Sequence, residues 1–176
     1  MKKTALLLTL VLLQFLCFAQ TTTTTNYPDP DFVDQPFWYD SKKSSLRSFE
    51  KAPRQSASRS VGLYGAEAVS YIDGNESPLQ FTNSENLAII IKVEKGVDPS
   101  DVIRFFKMKS KKNSREYVAA SVSAWDGGSK SSEGGMNILE FKKIREGIFQ
   151  IQFNYKLARG EYAFINSKSF YAFGIE

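Results

Sequence analysis

Ile148-Phe149-Gln150-Ile151-Gln152-Phe153 is a six-residue stretch in which large apolar side chains alternate with amides. Phe149, Ile151 and Phe153 fall on one face of an extended chain, and Gln150 and Gln152 fall on the other. This period of two predicts a β-strand whose three apolar side chains lie in the core.

The same kind of pattern continues on both sides of this stretch. From Val61 to the C terminus, short aromatic and β-branched runs alternate with Gly, Asn, Asp and Ser clusters, at intervals typical of a β-sandwich or barrel. Residues 87–91 are apolar on both faces and predict a central strand, and Asp98-Pro99 predicts one helical turn capped by Asp98. The predicted strands are residues 61–64, 67–72, 79–82, 87–93, 102–109, 116–123, 137–143, 148–154, 161–165 and 169–175.

The chain before residue 61 has a different composition. Residues 1–19 begin with basic residues and continue as a nearly unbroken apolar run, which predicts a cleaved signal peptide and export to the periplasm or the exterior. Residues 20–60 contain a threonine run followed by Pro28 and Pro30, and a Ser- and Arg-rich linker at 51–60, so we expect a flexible tether with a small hairpin around 37–49. Residues 61–176 are the predicted β-sandwich domain.

Cys17 is the only cysteine, and the chain contains no histidine. Cleavage after residue 19 leaves neither, which excludes a Ser-His-Asp triad, a thiol nucleophile, a thiolate or imidazole zinc site and a histidine-bound haem. The bulky Leu16 disfavours the alternative of a lipoprotein anchored at Cys17. Loss of Lys2 and Lys3 leaves 21 basic and 19 acidic residues, a net charge of +2, so we expect no nucleic-acid partner.

Leu157-Ala158-Arg159-Gly160-Glu161-Tyr162 connects two predicted strands. Its Leu-x-x-Gly-x-Tyr spacing resembles the tyrosine corner of immunoglobulin-like Greek-key sandwiches. The resemblance implies structural roles for Leu157, Gly160 and Tyr162, with the tyrosine hydroxyl bonded to a backbone group a few residues upstream. It also implies an all-β, immunoglobulin-like Greek-key β-sandwich of seven to ten strands, here with a flexible N-terminal extension.

A looser likeness runs from about Gly62 through Asp98-Pro99 to residues 160–164 and 171–175. Over this range the chain is similar to uncharacterised exported proteins of Bacteroidetes-type bacteria. That family has no assigned catalytic residue, so the likeness implies a fold and a compartment and leaves the function open.

Trp125 precedes the glycine-rich stretch 127–135, which predicts a long hairpin loop. The stretch lacks the Gly-x-x-x-x-Gly-Lys-Ser/Thr order of a phosphate loop. Trp125 is either a carbohydrate-stacking residue beside this loop or a core residue. Basic residues at two predicted hairpins either bind an anionic glycan or occupy solvated strand faces: Lys107, Lys109, Lys111, Lys112, Arg115, Lys142, Lys143 and Arg145. The candidate binding residues are Trp125, Lys130, Lys107, Lys109 and Lys142.

A pair of carboxylates could still support catalysis in a chain without histidine or cysteine. Glycosidases use two carboxylates that face each other roughly 5 to 10 Å apart, but no spacing in this sequence singles out a pair. Asp29, Asp31 and Asp34 lack the ligand order of an EF-hand loop, so we expect no metal, and we expect no cofactor. The acids at strand ends and polar strand faces are predicted to be solvated: Glu67, Asp73, Glu76, Glu140 and Glu161.

These observations predict a non-catalytic binding or structural module of the cell envelope, whose partner is an unidentified envelope glycan or protein. One alternative is a carboxylate-dependent hydrolase of envelope polysaccharide. Two carboxylates facing one pocket, at least one with a raised pKa, are the feature that distinguishes it. The other alternative is an adhesin or assembly subunit that pairs with a neighbour at an exposed sheet edge.

Overall fold

The computed structural model describes residues 26–61, 65–82, 87–123, 128–131 and 139–176, so the predicted signal peptide lies outside the described residues. The described residues form fourteen strands and one helical turn. The strands are β1 Pro36–Asp40, β2 Ser45–Ser48, β3 Glu50–Pro53, β4 Gln55–Val61, β5 Gly65–Asp73, β6 Gln80–Phe81, β7 Ile89–Lys92, β8 Arg104–Ser110, β9 Ser114–Ser123, β10 Gly128–Ser131, β11 Leu139–Arg145, β12 Ile148–Phe153, β13 Gly160–Ile165 and β14 Ser169–Ile175, and the helical turn is α1 Pro99–Val102.

The strands form two sheets, which confirms the all-β prediction. The smaller sheet has five strands in the order β11-β12-β7-β1-β2. The larger has nine strands, with β3-β14-β13-β8-β9-β5-β4 as its main path, β10 beside β9 and β6 beside β14. The pairings are antiparallel except for the short β6–β14 pair. The fold is therefore β-sandwich-like, with more strands than the seven to ten predicted.

The first core lies between the two sheets. Ile151 of β12 is buried in it, and Phe149 and Phe153 pack against it, so the face predicted from the alternation is confirmed. Ile89, Ile90 and Ile91 are all fully buried, and β7 lies between β12 and β1, which confirms the predicted central strand. The nine-stranded sheet contributes further buried apolar residues to this core: Phe105, Tyr162, Phe164, Tyr171, Phe173 and Ile175.

The nine-stranded sheet curls back on itself. β3 and β4 stand at opposite ends of the main path, six steps apart, which is about 29 Å in a flat sheet at about 4.8 Å per step. Only Arg54 separates these two strands in the chain, so the two ends of the sheet lie close together. The rings of Tyr117 on β9 and Phe170 on β14 also meet, with centroids 6.2 Å apart. The curled sheet encloses a second core: Ile72, Phe106, Met108, Ala163, Ile165, Phe170 and Ala172.

One extended segment joins the two ends of the curled sheet. β3 pairs with β14, β4 pairs with β5, and only Arg54 separates β3 from β4 in the chain. The structure therefore has strands where the sequence predicts a linker at 51–60. Most side chains of β4 are exposed, so an apolar period is absent even though the backbone is paired.

The segment before β1 is also attached to the domain, unlike the predicted flexible tether. Arg145 on β11 donates hydrogen bonds to the backbone carbonyl of Tyr27 and to the Asp29 carboxylate. The rings of Tyr27 and Tyr39 meet edge to face, with centroids 5.0 Å apart. β1 and β2 form an antiparallel hairpin at the place where the sequence predicts one.

The connection from β12 to β13 crosses from one sheet to the other. The Tyr162 hydroxyl donates a 2.7 Å hydrogen bond to the carbonyl of Ala158, which is the bond that the tyrosine-corner resemblance implies. Leu157 is buried, and Gly160 has a φ of 145°. The predicted helical turn is present as α1, with the Asp98 carboxylate accepting from the backbone N–H of Ser100.

Candidate functional site

The predicted binding residues whose side chains the structure describes, Lys107, Lys109 and Lys142, do not form one surface. Lys107 Nζ donates to the carbonyl of Arg159 at 3.2 Å and lies 5.7 Å from the centroid of the Tyr162 ring, so this lysine supports the tyrosine corner. Lys109 is exposed on the same strand, whereas Lys142 is exposed on β11 of the other sheet.

Part of the predicted glycine-loop surface is outside the described residues. Trp125 and residues 127 and 132–135 are among those positions. Residues 128–131 form β10, in which Lys130 pairs with Ser121 through the backbone, and its side chain is outside the described part of the chain.

Arg115 and Glu161 are buried. The prediction that Glu161 is solvated is therefore wrong, and Arg115 lies on neither a solvated strand face nor an exposed glycan-binding face. The Arg115 side chain is fully buried, and its guanidinium contacts the carboxylates of Glu50 at 2.8 Å and Glu161 at 3.4 Å. Glu50 lies on β3 and Glu161 on β13, 65 and 46 residues from Arg115 in the chain. Ion pairs between residues so far apart in the chain leave no local pattern, so the sequence does not predict this cluster.

The Arg115 cluster is a saturated polar network. A guanidinium has five N–H donors, and Arg115 makes five hydrogen bonds, to the two carboxylates and to the backbone carbonyls of Asp73 and Gly74. Glu161 also accepts from the backbone N–H of Ser77 and from the Gln80 amide. These bonds hold β3, β9, β13 and the end of β5 together, so the cluster stabilises the curl of the sheet.

A polar groove of about 420 Å³ lies along the outward face and the end of β12. It is lined by Leu87, Gln150, Ile151, Gln152, Phe153, Asn154, Tyr155 and Lys156, and is called the Gln150 groove below. Its polar side chains are three amides, one phenol and one ammonium. The sequence contains the signal for this surface, because Gln150 and Gln152 are the polar half of the β12 alternation.

Neighbouring charges on β11 border the Gln150 groove. Lys142 lies directly opposite Gln150 in the strand register, and Glu140 lies opposite Gln152. Tyr155 is 41% exposed. Partial burial raises the pKa of its hydroxyl, and the nearby Tyr162 raises this pKa further. The phenol therefore remains a neutral hydrogen-bond donor at and above neutral pH. Of the predicted binding residues with described side chains, Lys142 thus lies beside the Gln150 groove.

A second groove, of about 580 Å³, lies between the 94–100 loop and the β11–β12 turn. Val97, Phe141 and Phe149 are its apolar lining residues, and it is called the Phe141 groove below. Three carboxylates also line it: Glu94, Asp98 and Glu146. Glu146 is paired with Lys143 at 3.0 Å, and hydrogen bonds from Ser100 lower the pKa of Asp98. Asp98 is therefore ionised, and Glu146 is paired with a cation.

Asp34 is the acid with the clearest upward pKa shift. Burial, and secondarily the negative charge of Glu94, raise the pKa of its carboxyl. Its Oδ1 atom is buried and has no hydrogen-bond partner among the described residues. Asp34 does not line the Phe141 groove, although Glu94 does. The acid with the raised pKa is therefore not one of the acids that line the Phe141 groove.

Two further properties concern the described ranges only. No group of three or more acidic side chains within them is arranged to hold a metal ion. No helix within them combines the length and the apolar character that crossing a bilayer requires. Comparisons of the chain with protein-family models, with curated proteins and with solved structures give no match.

Proposed function

We propose that this protein is an exported, non-catalytic cell-envelope module that binds an envelope glycan along the Gln150 groove. The observation that carries the proposal is the row of three amides, Gln150, Gln152 and Asn154, which ends at the half-exposed Tyr155. The proposed compartment rests on the signal-like residues 1–19.

The groove has the chemistry that a sugar requires. Sugar hydroxyls both donate and accept hydrogen bonds, and a carboxamide side chain offers both functions on one planar group. An exposed tyrosine adds a flat apolar face and a hydroxyl. Lys142 beside Gln150 gives this surface a preference for sugars that carry a carboxylate or sulfate.

The carboxylates favour binding over hydrolysis. A glycosidase acid must keep its proton near neutral pH while facing the substrate beside a second carboxylate. Of the three acids that line the Phe141 groove, Asp98 has a lowered pKa and Glu146 is paired with Lys143. Glu50 and Glu161 both pair with the Arg115 guanidinium, and neither lines a described groove.

An immunoglobulin-like Greek-key relationship is part of the same proposal. Its support is the corner at Tyr162, which lies where the chain passes from β12 in one sheet to β13 in the other. In immunoglobulin-like domains the tyrosine corner occupies the same kind of crossing between sheets.

The test is a glycan array that includes neutral glucans and uronic-acid polymers, probed with the chain lacking residues 1–19. We expect binding that Tyr155→Ala and Gln152→Ala each weaken by about two- to tenfold per lost contact, whereas Gln55→Ala on β4 leaves it unchanged. For uronic-acid polymers, Lys142→Ala weakens binding and Lys109→Ala does not. No glycan bound by the folded protein, or equal losses from Lys142→Ala and Lys109→Ala, would contradict the proposal.

A further inference from the structure

Among the strands that the structure describes, β4 is an edge strand with no partner on its outer side. All seven of its residues pair with β5 in one uninterrupted register, from Gln55 opposite Tyr71 to Val61 opposite Gly65. On its other side, none of its backbone groups pairs with a described residue. Ala57, Ser58, Ser60 and Val61 are exposed. This edge therefore offers a row of free backbone donors and acceptors beside small side chains.

The other edges are shorter or carry protective features. Natural proteins protect edge strands with lysine, proline, bulges or short length. β4 has seven residues and contains no lysine and no proline, and its pairing with β5 has no bulge. Among the described edges, β11 carries two lysines and a register shift, β2 has only four residues, β3 has four residues and ends at Pro53, and β10 has four residues with a lysine.

The sequence of β4 is compatible with pairing to itself. In an antiparallel pair centred on Ser58, Ser58 lies opposite its own copy and all seven residues overlap. Arg59 then lies opposite Ala57, Ser60 opposite Ser56, and Val61 opposite Gln55. The Arg59 guanidinium is already paired with the carboxylates of Glu67 and Glu116, both at 2.7 Å. The two arginines of a pair therefore neither face each other nor lack counter-ions.

We infer that a second copy of this chain pairs with β4 in the antiparallel register centred on Ser58, giving a two-fold symmetric dimer. The dimer joins the two β10-β9-β5-β4 regions into one continuous sheet. A two-fold axis through Ser58 makes the interface self-complementary, as in most homodimers. The inference does not depend on the glycan proposal, because the Gln150 groove lies on the other sheet.

A charged side chain introduced at Ser58, the symmetry centre, tests this dimer. Sedimentation velocity of the chain lacking residues 1–19 should show concentration-dependent dimers. Ser58→Lys and Ser58→Glu should each raise the dimer dissociation constant at least about tenfold, because like charges directly opposite each other destabilise a strand pair. An equimolar mixture of the two variants should form a heterodimer, since opposite charges then face each other.

A lysine placed elsewhere provides the control. Ser167 is exposed in the turn between β13 and β14, so Ser167→Lys adds the same charge away from β4 and should dimerise as the parent chain does. Three results would overturn the inference: a parent chain that remains monomeric at every concentration, a Ser58→Lys variant that dimerises like Ser167→Lys, or a mixture that stays monomeric. Heterodimer formation also shows that both variants are folded.

Discussion

Arg115 is the residue on which the curl of the large sheet depends most. Its fully buried guanidinium is bonded to Glu161 on β13, two steps from β9 in the sheet order, and to Glu50 on β3, four steps from β9. Burying a charge is unfavourable unless every group around it is satisfied. All five donors of Arg115 are used, so the cluster meets that condition.

Arg115→Met should destabilise the protein by about 3 to 5 kcal/mol, because it leaves buried carboxylates without their cation. Urea unfolding monitored by tryptophan fluorescence measures the change. Arg59→Met is the matched control, since Arg59 also binds two carboxylates but is 37% exposed; its loss should cost about 1 kcal/mol or less. Equal losses for the two variants would show that the cluster does not hold the sheet.

Asp34 should make the protein less stable as pH rises above the acid range. Its pKa is raised in the folded state, so the folded protein binds this proton more tightly than the unfolded chain does. The stabilising contribution is complete below the ordinary pKa near 3.8 and is lost as pH rises through the raised value. Asp34→Asn should therefore raise the urea midpoint at pH 7 and leave it nearly unchanged at pH 3. Asparagine also tolerates the φ of 58° at this position. A lower midpoint at pH 7 would refute the assignment.

At the scale of elements, strands with an apolar half are the ones that the sequence identifies. β14 has the predicted bounds and is buried along its whole length, and β12 agrees with its prediction to within one residue. β3 and β4 have no such apolar face, so the alternation does not predict them. Their side chains are polar and largely exposed, and their backbone partners on β14 and β5 lie elsewhere in the chain. The sequence does not identify the Gln150 groove either, because amides opposite a buried strand face are normally solvated and do not by themselves indicate a binding surface.

The β12–β13 connection should require glycine at position 160. Its φ of 145° lies in a region that side-chain-bearing residues rarely adopt, at a cost of about 1 to 3 kcal/mol. A Cβ at this position would also approach Lys107 Cε at 2.8 Å, but a lysine chain can move away. Gly160→Ala should therefore destabilise the fold in thermal unfolding, and adding Lys107→Ala should not restore the loss. Full restoration by the double variant would mean that the contact, and not the backbone, is decisive.

At the scale of the whole molecule, the two cores depend on the residues before Val61. Phe49 is part of the core between the sheets, Trp38 packs against it, and β3 and β4 close the curled sheet. The domain predicted at 61–176 contains the second core but lacks the strand segment that completes the sheet around it.

A chain of residues 61–176 should consequently fail to fold on its own. We expect weak near-ultraviolet circular dichroism and no cooperative urea transition, because apolar surface of both cores becomes exposed. A chain of residues 26–176 is the control and should unfold cooperatively. A cooperative transition of the shorter chain, with the near-ultraviolet spectrum of the longer one, would contradict this dependence.

Glycan binding at the Gln150 groove is the central claim, and an NMR titration of the folded chain with the glycan that binds best on the array tests it most directly. Side-chain amide resonances of Gln150, Gln152 and Asn154 should shift in a saturable way, whereas those of Gln55 and Gln80 should not. Saturable shifts confined to the Phe141 groove, with these three amides unchanged, would contradict the claim.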